Sequence, residues 1–247
     1  MIHSSPRFPE SKQGESKMTP HNTRIIHRDD LPLGGFAGIV ETRMVMNPRL
    51  WREAKDRPDV SHGLGDFVYL ASGHFKADDG APLHPHKDID IVSFIPNGAV
   101  GHEGTMGHGT SIQGPGVQVQ RAGTGIEHAE FSLNGQKADL VQIWFLPPEK
   151  GLEPGYQEFT LEKGRMTTVL GGSGETFKNE MTCQIGLLEP GDTAATRHRF
   201  IAFVSDGEAT ANGKPVSAGD IVEGDALELT TETGCDLVLI QFTETFQ

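Results

Sequence analysis

Turn residues punctuate this chain at short intervals. Asp78-Asp79-Gly80, Pro96-Asn97-Gly98, Gly107–Gly109, Gly114-Pro115-Gly116 and Gly123-Thr124-Gly125 follow one another between positions 78 and 125. The stretches between them are short for a helix and long enough for a strand. With 31 Gly and 15 Pro in 247 residues and a hydrophobic share of 36%, the pattern extends over the whole chain. It predicts an all-β protein of short antiparallel strands closed into barrels or jelly rolls.

Residues 1–23 are polar and lack apolar periodicity, so a disordered tail is expected there. In the first half, β-patterned runs cover 23–26, 38–46, 66–75, 84–95, 99–102, 110–113, 117–121, 128–132 and 139–146. Asn47-Pro48 carries the signature of a short helical turn running to Ala54. Pro147-Pro148-Glu149-Lys150-Gly151 breaks the pattern and reads as a linker. Further runs follow at 157–161, 167–170, 181–188, 199–205, 208–212, 220–223, 226–230 and 235–242, with Asn212-Gly213 as a hairpin turn. The segment from Leu187 to Asp192 restarts the grammar that begins at Gly80. Two tandem barrels are expected, over 24–146 and 152–247, packed face to face with few short helices.

Two triplets carry chemistry. His84-Pro85-His86 and His128-Ala129-Glu130 each place two metal-capable side chains two residues apart. On a strand that spacing points both to one face. Alternation along 84–95 puts His84, His86, Asp88, Asp90, Val92 and Phe94 together, as in a barrel interior with a polar mouth. Buried histidines need a partner, and a cation supplies one. An HxH triplet alone is weak in a chain with 11 histidines, where a surface pair is the plainer reading. Three imidazoles and one carboxylate suit one divalent transition metal: Fe(II), Mn(II), Ni(II), Co(II) or Cu(II). No cysteine joins them, which argues against a thiolate zinc site. The second half contains no HxH or HxE pair.

Composition narrows the function classes. A net charge of -13 disfavours direct nucleic-acid binding. Residues 151–247 hold 16 Asp/Glu against 6 Lys/Arg, so most of the excess acid lies in the second half, on what reads as a solvated surface. Cys183 and Cys235 form no CxxC motif and read as buried thiols. No apolar run approaches a membrane span, and the N-terminus lacks the apolar stretch of a secretion signal. A cytoplasmic protein is expected, acting on no membrane.

The motifs together resemble the pirin family. HPHKDIDIVSFIPNG (84–98) looks like that family's HPH strand and turn. QGPGVQVQRAGTGIEHAE (113–130) looks like its PG turn leading to HxE, and VQIWFLPPEKGLEPGYQEF (141–159) is similar to its signature at the barrel junction. The resemblance implies a bicupin with metal, most often iron, only in the N-terminal barrel. By motif, His84, His86, His128 and Glu130 would hold it. The general cupin pattern places a carboxylate at Asp90, whereas the pirin pattern places it at Glu130. Asp90 is then a pocket or outer group. The family's HPHRG-type continuation is HPHKD here, so Lys87 and Asp88 change the entry to the site.

The implied activity is quercetin 2,3-dioxygenase chemistry. A small flavonol and dioxygen would be the partners, and Glu130 would take the substrate's hydroxyl proton before ring opening and loss of carbon monoxide. The alternative implied by the family is a non-enzymatic, redox-sensing regulator that binds a protein partner; a Lewis-acid isomerase is a third reading. Among other residues, His74, His102 and His108 read as exposed or loop histidines, and Trp144 as core, with Trp51 in core or pocket. Arg197-His198-Arg199 reads as a charged edge or barrel-interface pair. Glu127 alternates outward, and the 171–174 GGSG run lacks the GK[ST] of a phosphate loop.

Overall fold

The computed structural model describes residues 22–106 and 109–243. The expected tail, apart from Asn22 and Thr23, lies outside the described residues, as does His108. Strands β1 to β7 are Thr23–His27, Leu33–Phe36, Ile39–Met46, Phe67–Phe75, Gly80–His86, Asp90–Ile95 and Ala99–Gly104. Strands β8 to β13 are Thr110–Gln113, Gly116–Arg121, Ile126–Ser132, Ala138–Phe145, Gly155–Thr160 and Met166–Leu170. Strands β14 to β20 are Met181–Leu188, Thr193–Thr196, Phe200–Ala211, Lys214–Ser217, Asp220–Gly224, Leu227–Thr230 and Cys235–Phe242. Helical structure among the described residues is limited to 3₁₀ turns at Arg28–Asp30 and Arg52–Asp56. None of it is long and apolar enough to cross a membrane.

The expected barrels are present, and every ladder between these strands is antiparallel among the described residues. The first is built from a 7-stranded sheet, β12-β9-β6-β11-β4-β3-β2, and a 4-stranded sheet, β5-β10-β7-β8. The second is a 9-stranded sheet on the path β1-β18-β16-β20-β14-β13, with β15, β17 and β19 beside it. Two strands are exchanged across the Pro147–Gly151 break. β1 pairs with β18 along its whole length, and β12 pairs with β9.

The 7-stranded sheet has two distinct faces, because successive side chains alternate. Leu70, Ile143, Val92 and Val119 form a row on the outer face. Ile185, Val238, Phe203 and Ile221 form a matching row on the second barrel. Both rows belong to one fully buried apolar cluster, which joins the barrels face to face. At about 1.5–3 kcal/mol per fully buried large side chain, this interface is a main source of stability. The second barrel's interior is a separate apolar core around Ala202, Val204, Leu237 and Leu239.

The single strand expected over 84–95 is two. Lys87 to Ile89 leave the ladder, Asp88 takes a left-handed φ of 52°, and its Oδ1 accepts the Gly151 N–H at 2.8 Å. The chain turns this corner from the 4-stranded sheet into the 7-stranded one. The shared face expected for His84 through Phe94 is therefore broken. Val92 and Phe94 face the second barrel, as part of the interface cluster. Asp90 does too. It is fully buried and accepts two hydrogen bonds from Arg121, at 2.8 and 2.6 Å. The same guanidinium donates to the Lys178 carbonyl and lies 4.8 Å from the Phe177 ring centre. Asn179 bridges Asp90 and the Leu146 carbonyl. Asp90 is thus a clamp between the barrels and not a pocket group.

Other differences are local. Two expected strands merge into β16, because Gly207, at φ 79°, lets the ladder with β20 continue past an irregularity at Val204/Asp206. The four-residue strands β2, β15 and β17 are too short to show a period. Cys183 and Cys235 are unpaired and buried, as expected.

Removing one partner of a buried ion pair leaves the other charge without compensation. Asp90→Ala should lower the unfolding free energy by about 3–5 kcal/mol in urea titration. A loss below about 1 kcal/mol, the scale of an exposed pair, would contradict the clamp.

Candidate metal centre

β5 is an edge strand of the 4-stranded sheet. That position tolerates Pro82 and Pro85, which have no N–H to give a neighbour. Its inner neighbour is β10, and the register sets His84 directly opposite His128. His86 is two residues further on the same face. The register then slips between His128 and Glu130, so that Glu130 pairs with Ala81. This bulge lies at Pro82-Leu83 and re-aims the chain next to the histidines. The Pro82 carbonyl accepts a hydrogen bond from His84 Nδ1 at 2.7 Å. That contact fixes the tautomer of neutral His84 and leaves its Nε2 as a bare acceptor.

The three imidazoles converge. One ligand atom from each of His84, His86 and His128 lies within 4.8 Å of the others. His84 Nε2 and His128 Nε2 are 3.2 Å apart. His86 Nε2 is buried with no hydrogen-bond partner, and so is Glu130 Oε2. Glu130 Oε1 is gripped by the Gln118 amide and by Ser93 Oγ at 3.4 Å. Unpaired buried polar atoms are costly, and three clustered imidazoles with an orphaned carboxylate oxygen lining the same cavity fit a cation.

Electrostatics agrees. Burial, then the neighbouring His84, holds His86 at about 4, well below the usual imidazole value. Burial, then His86, His84 and His102, pushes His128 down to about 2. Both are neutral, as ligands must be. Burial raises Glu130 above the usual carboxylate range, so the bare pocket disfavours its negative charge and a cation would restore it.

Beside the triad opens a cavity of about 270 Å³, lined by His84, His86, Glu130, Trp51, Tyr69, Trp144 and others. Trp51 stacks on Tyr69 at 5.2 Å, Tyr69 lies 4.6 Å from Trp144, and Trp144 meets His86 edge-on at 5.6 Å. The result is a flat aromatic wall running up to the histidines. Trp144, expected in the core, is part of it.

Of the four expected ligands, the structure brings the three imidazoles together; Glu130 lines the cavity beside them but lies outside their cluster. Glu127 is exposed, as expected, and Arg197 and His198 line a separate concavity on the second barrel. His102, expected to be exposed, is buried: its Nε2 sits 3.3 Å from His128 Nδ1 and 3.1 Å from Gln120 Oε1. Gln118, Gln120, Ser93 and Tyr156 behind the triad were also not anticipated. The signal was available in β9, where Gln118 and Gln120 alternate with Val117 and Val119 along a strand buried at every position. Such a strand needs polar work on one face.

A sequence profile described as Pirin matches residues 59–145. A Mycobacterium bovis protein, provisionally named a quercetin 2,3-dioxygenase, is 30% identical over 191 residues, 71% of this chain and 75% of that protein. This chain belongs to the pirin family. Escherichia coli quercetin 2,3-dioxygenase is 28% identical to it over 178 residues, 66% of this pirin and 77% of the relative. A Zymomonas mobilis relative, also provisionally named for that activity, is 37% identical over 102 residues; the chain spans 43% of its length. The crystal structure of the bacterial pirin YhhW from Escherichia coli, in complex with nickel(II), shares the fold at a TM-score of 0.76. It is 19% identical, covering 90% of this pirin and 100% of YhhW.

The depressed imidazoles make stability pH-dependent. In the unfolded chain His86 takes a proton near 6.5; in the folded chain it does so only near 4. Between those values the unfolded state binds more protons, so stability falls with falling pH, and His86 adds nothing further below about 4. Chelator-treated wild type should lose on the order of 3 kcal/mol more than His86→Ala between pH 6.5 and 4 in denaturant unfolding. Parallel profiles would contradict the buried, neutral His86.

Proposed function

We propose that this pirin is a metal-dependent dioxygenase acting on quercetin-like flavonols, with His84, His86, His128 and Glu130 holding one divalent transition metal, Fe(II) foremost. The observation that carries the reading is the pair of orphaned buried atoms, His86 Nε2 and Glu130 Oε2, beside two facing imidazole Nε2 atoms and an aromatic cavity. The names of the Escherichia coli and Mycobacterium bovis relatives support the substrate class, and the nickel-bound YhhW supports a metal in this fold.

A bound Fe(II) would supply Lewis-acid lowering of a chelating hydroxyl's pKa and redox access to dioxygen. The rest falls to the chain. Burial keeps His86 and His128 neutral, and the Pro82 carbonyl fixes the His84 ring. Gln118 and Ser93 hold Glu130 by Oε1, which leaves Oε2 to face the incoming hydroxyl and take its proton. Trp51, Tyr69 and Trp144 position a flat ring beside the triad and exclude water from it.

Three outcomes are expected. Freshly purified wild type should carry close to one transition metal per chain by elemental analysis, and the His84→Ala/His86→Ala variant should carry little. Equal sub-stoichiometric metal in both would overturn the ligand assignment. Iron-loaded protein mixed anaerobically with quercetin should consume dioxygen and release carbon monoxide on aeration. Glu130→Gln should lower kcat/KM about 10²–10⁴-fold, the usual range for a lost general base. Wild type that consumes no dioxygen would refute the dioxygenase reading.

A further inference from the structure

The inner face of the 7-stranded sheet carries a polar row that the steps above use only at one end. Successive pairing aligns Gln118, Ser93, Gln142, Ala71 and Arg43 across β9, β6, β11, β4 and β3. Gln118 and Ser93 hold Glu130. At the far end, Glu41 is only 5% exposed and its Oε1 accepts hydrogen bonds from Tyr69 OH at 2.9 Å and Arg43 Nε at 3.1 Å. Gln142 is 8% exposed and, among the described residues, makes no side-chain hydrogen bond to a neighbour. Glu41, Arg43 and Gln142 all line the cavity that reaches His84 and His86. The Gln142 amide and the second Glu41 oxygen therefore face the cavity with hydrogen-bonding capacity that an occupant can fill, and that a less polar occupant would bury unpaired.

We propose that Glu41, Gln142 and Arg43 form a recognition end for this cavity. They read a ring hydroxyl on the edge of a flat polyhydroxylated aromatic opposite to the oxygens that face the triad. The inference rests on the function proposed above and narrows its substrate class. A phenolic hydroxyl matches the three groups: its O–H donates to Glu41 Oε2 or Gln142 Oε1, and its oxygen accepts from the Gln142 amide or the Arg43 guanidinium. Burial raises the Tyr69 phenol's pKa, which keeps it a donor to Glu41 and so keeps the carboxylate aimed. Ser93 and Arg43 stand three strand spacings apart, about 14 Å, and both ends reach inward, which leaves a span on the scale of a fused ring system. The volume agrees. A cavity of about 150 Å³ holds one benzene ring. At about 270 Å³, this one encloses a fused ring pair, and a third ring reaches the mouth at half-exposed Phe36.

The chain's two tryptophans, Trp51 and Trp144, both line the cavity, so intrinsic fluorescence reports occupancy without turnover. The test is an anaerobic titration of iron-loaded protein with quercetin and with 3-hydroxyflavone, which keeps the chelating oxygens and lacks every other ring hydroxyl, checked by calorimetry. Wild type should bind quercetin about 10–100-fold more tightly, the cost of leaving these buried polar groups unpaired. Gln142→Leu and Glu41→Gln, each verified as folded by circular dichroism, should bring the two affinities within about threefold. Equal affinities in wild type would overturn the recognition end and leave the dioxygenase reading intact. A ratio preserved in both variants would do the same. Failure of wild type to bind either flavonol would refute the substrate class, and the recognition end with it.

Discussion

The candidate site depends on one constraint: the register of β5 against β10. His84 stands opposite His128, and past the bulge at Pro82-Leu83 Glu130 pairs with Ala81. In an antiparallel pair a slip of one residue sends every side chain to the other face. Such a slip would turn the imidazoles out to solvent and the prolines inward. The register is held by chemistry on both strands. Pro82 and Pro85 keep β5 at the sheet edge, and the Pro82 carbonyl pins His84. Burial of His128 and Glu130, at 1% exposure each, makes the alternative register expensive.

The 7-stranded sheet performs two tasks with one backbone. Its outer face is an apolar plate that fuses the barrels, and its inner face is a polar and aromatic surface aimed at the triad. A strand such as β9 therefore reads as Val-Gln-Val-Gln. The two faces are coupled at the corner of Lys87 to Ile89, where the histidine strand ends and the Asp90 strand begins. A carboxylate six residues after His84 serves the barrel junction through Arg121, because the corner has reversed which face it meets. The exchanged strands β1 and β12 complete the joint, and β12 brings Tyr156 within 5.6 Å of the His102 ring from beyond the Pro147–Gly151 break.

The fold class was legible because turn residues announce strands more clearly than strands announce themselves. β8 and β20 match their expected ranges, 110–113 and 235–242. The three convergent imidazoles were legible from the two triplets that carry them. What sequence could not carry was three-dimensional reversal. Continuous alternation from His84 to Phe94 looks like one strand, and nothing in KDI marks Asp88 as left-handed. Buried groups far along the chain were equally silent. His102 sits among exposed-looking neighbours, and Glu41 and Gln142 are separated by about a hundred positions until the sheet aligns their strands.

X-ray absorption on the metal-loaded protein tests the central claim most directly, because it reads the atoms around the cation without reference to any reaction. Convergence of the three side chains predicts one metal per chain with a light-atom shell containing three imidazoles, and loss of the imidazole signature when the register is disturbed by replacing Pro82. A bound metal whose shell contains fewer than two imidazoles would contradict it.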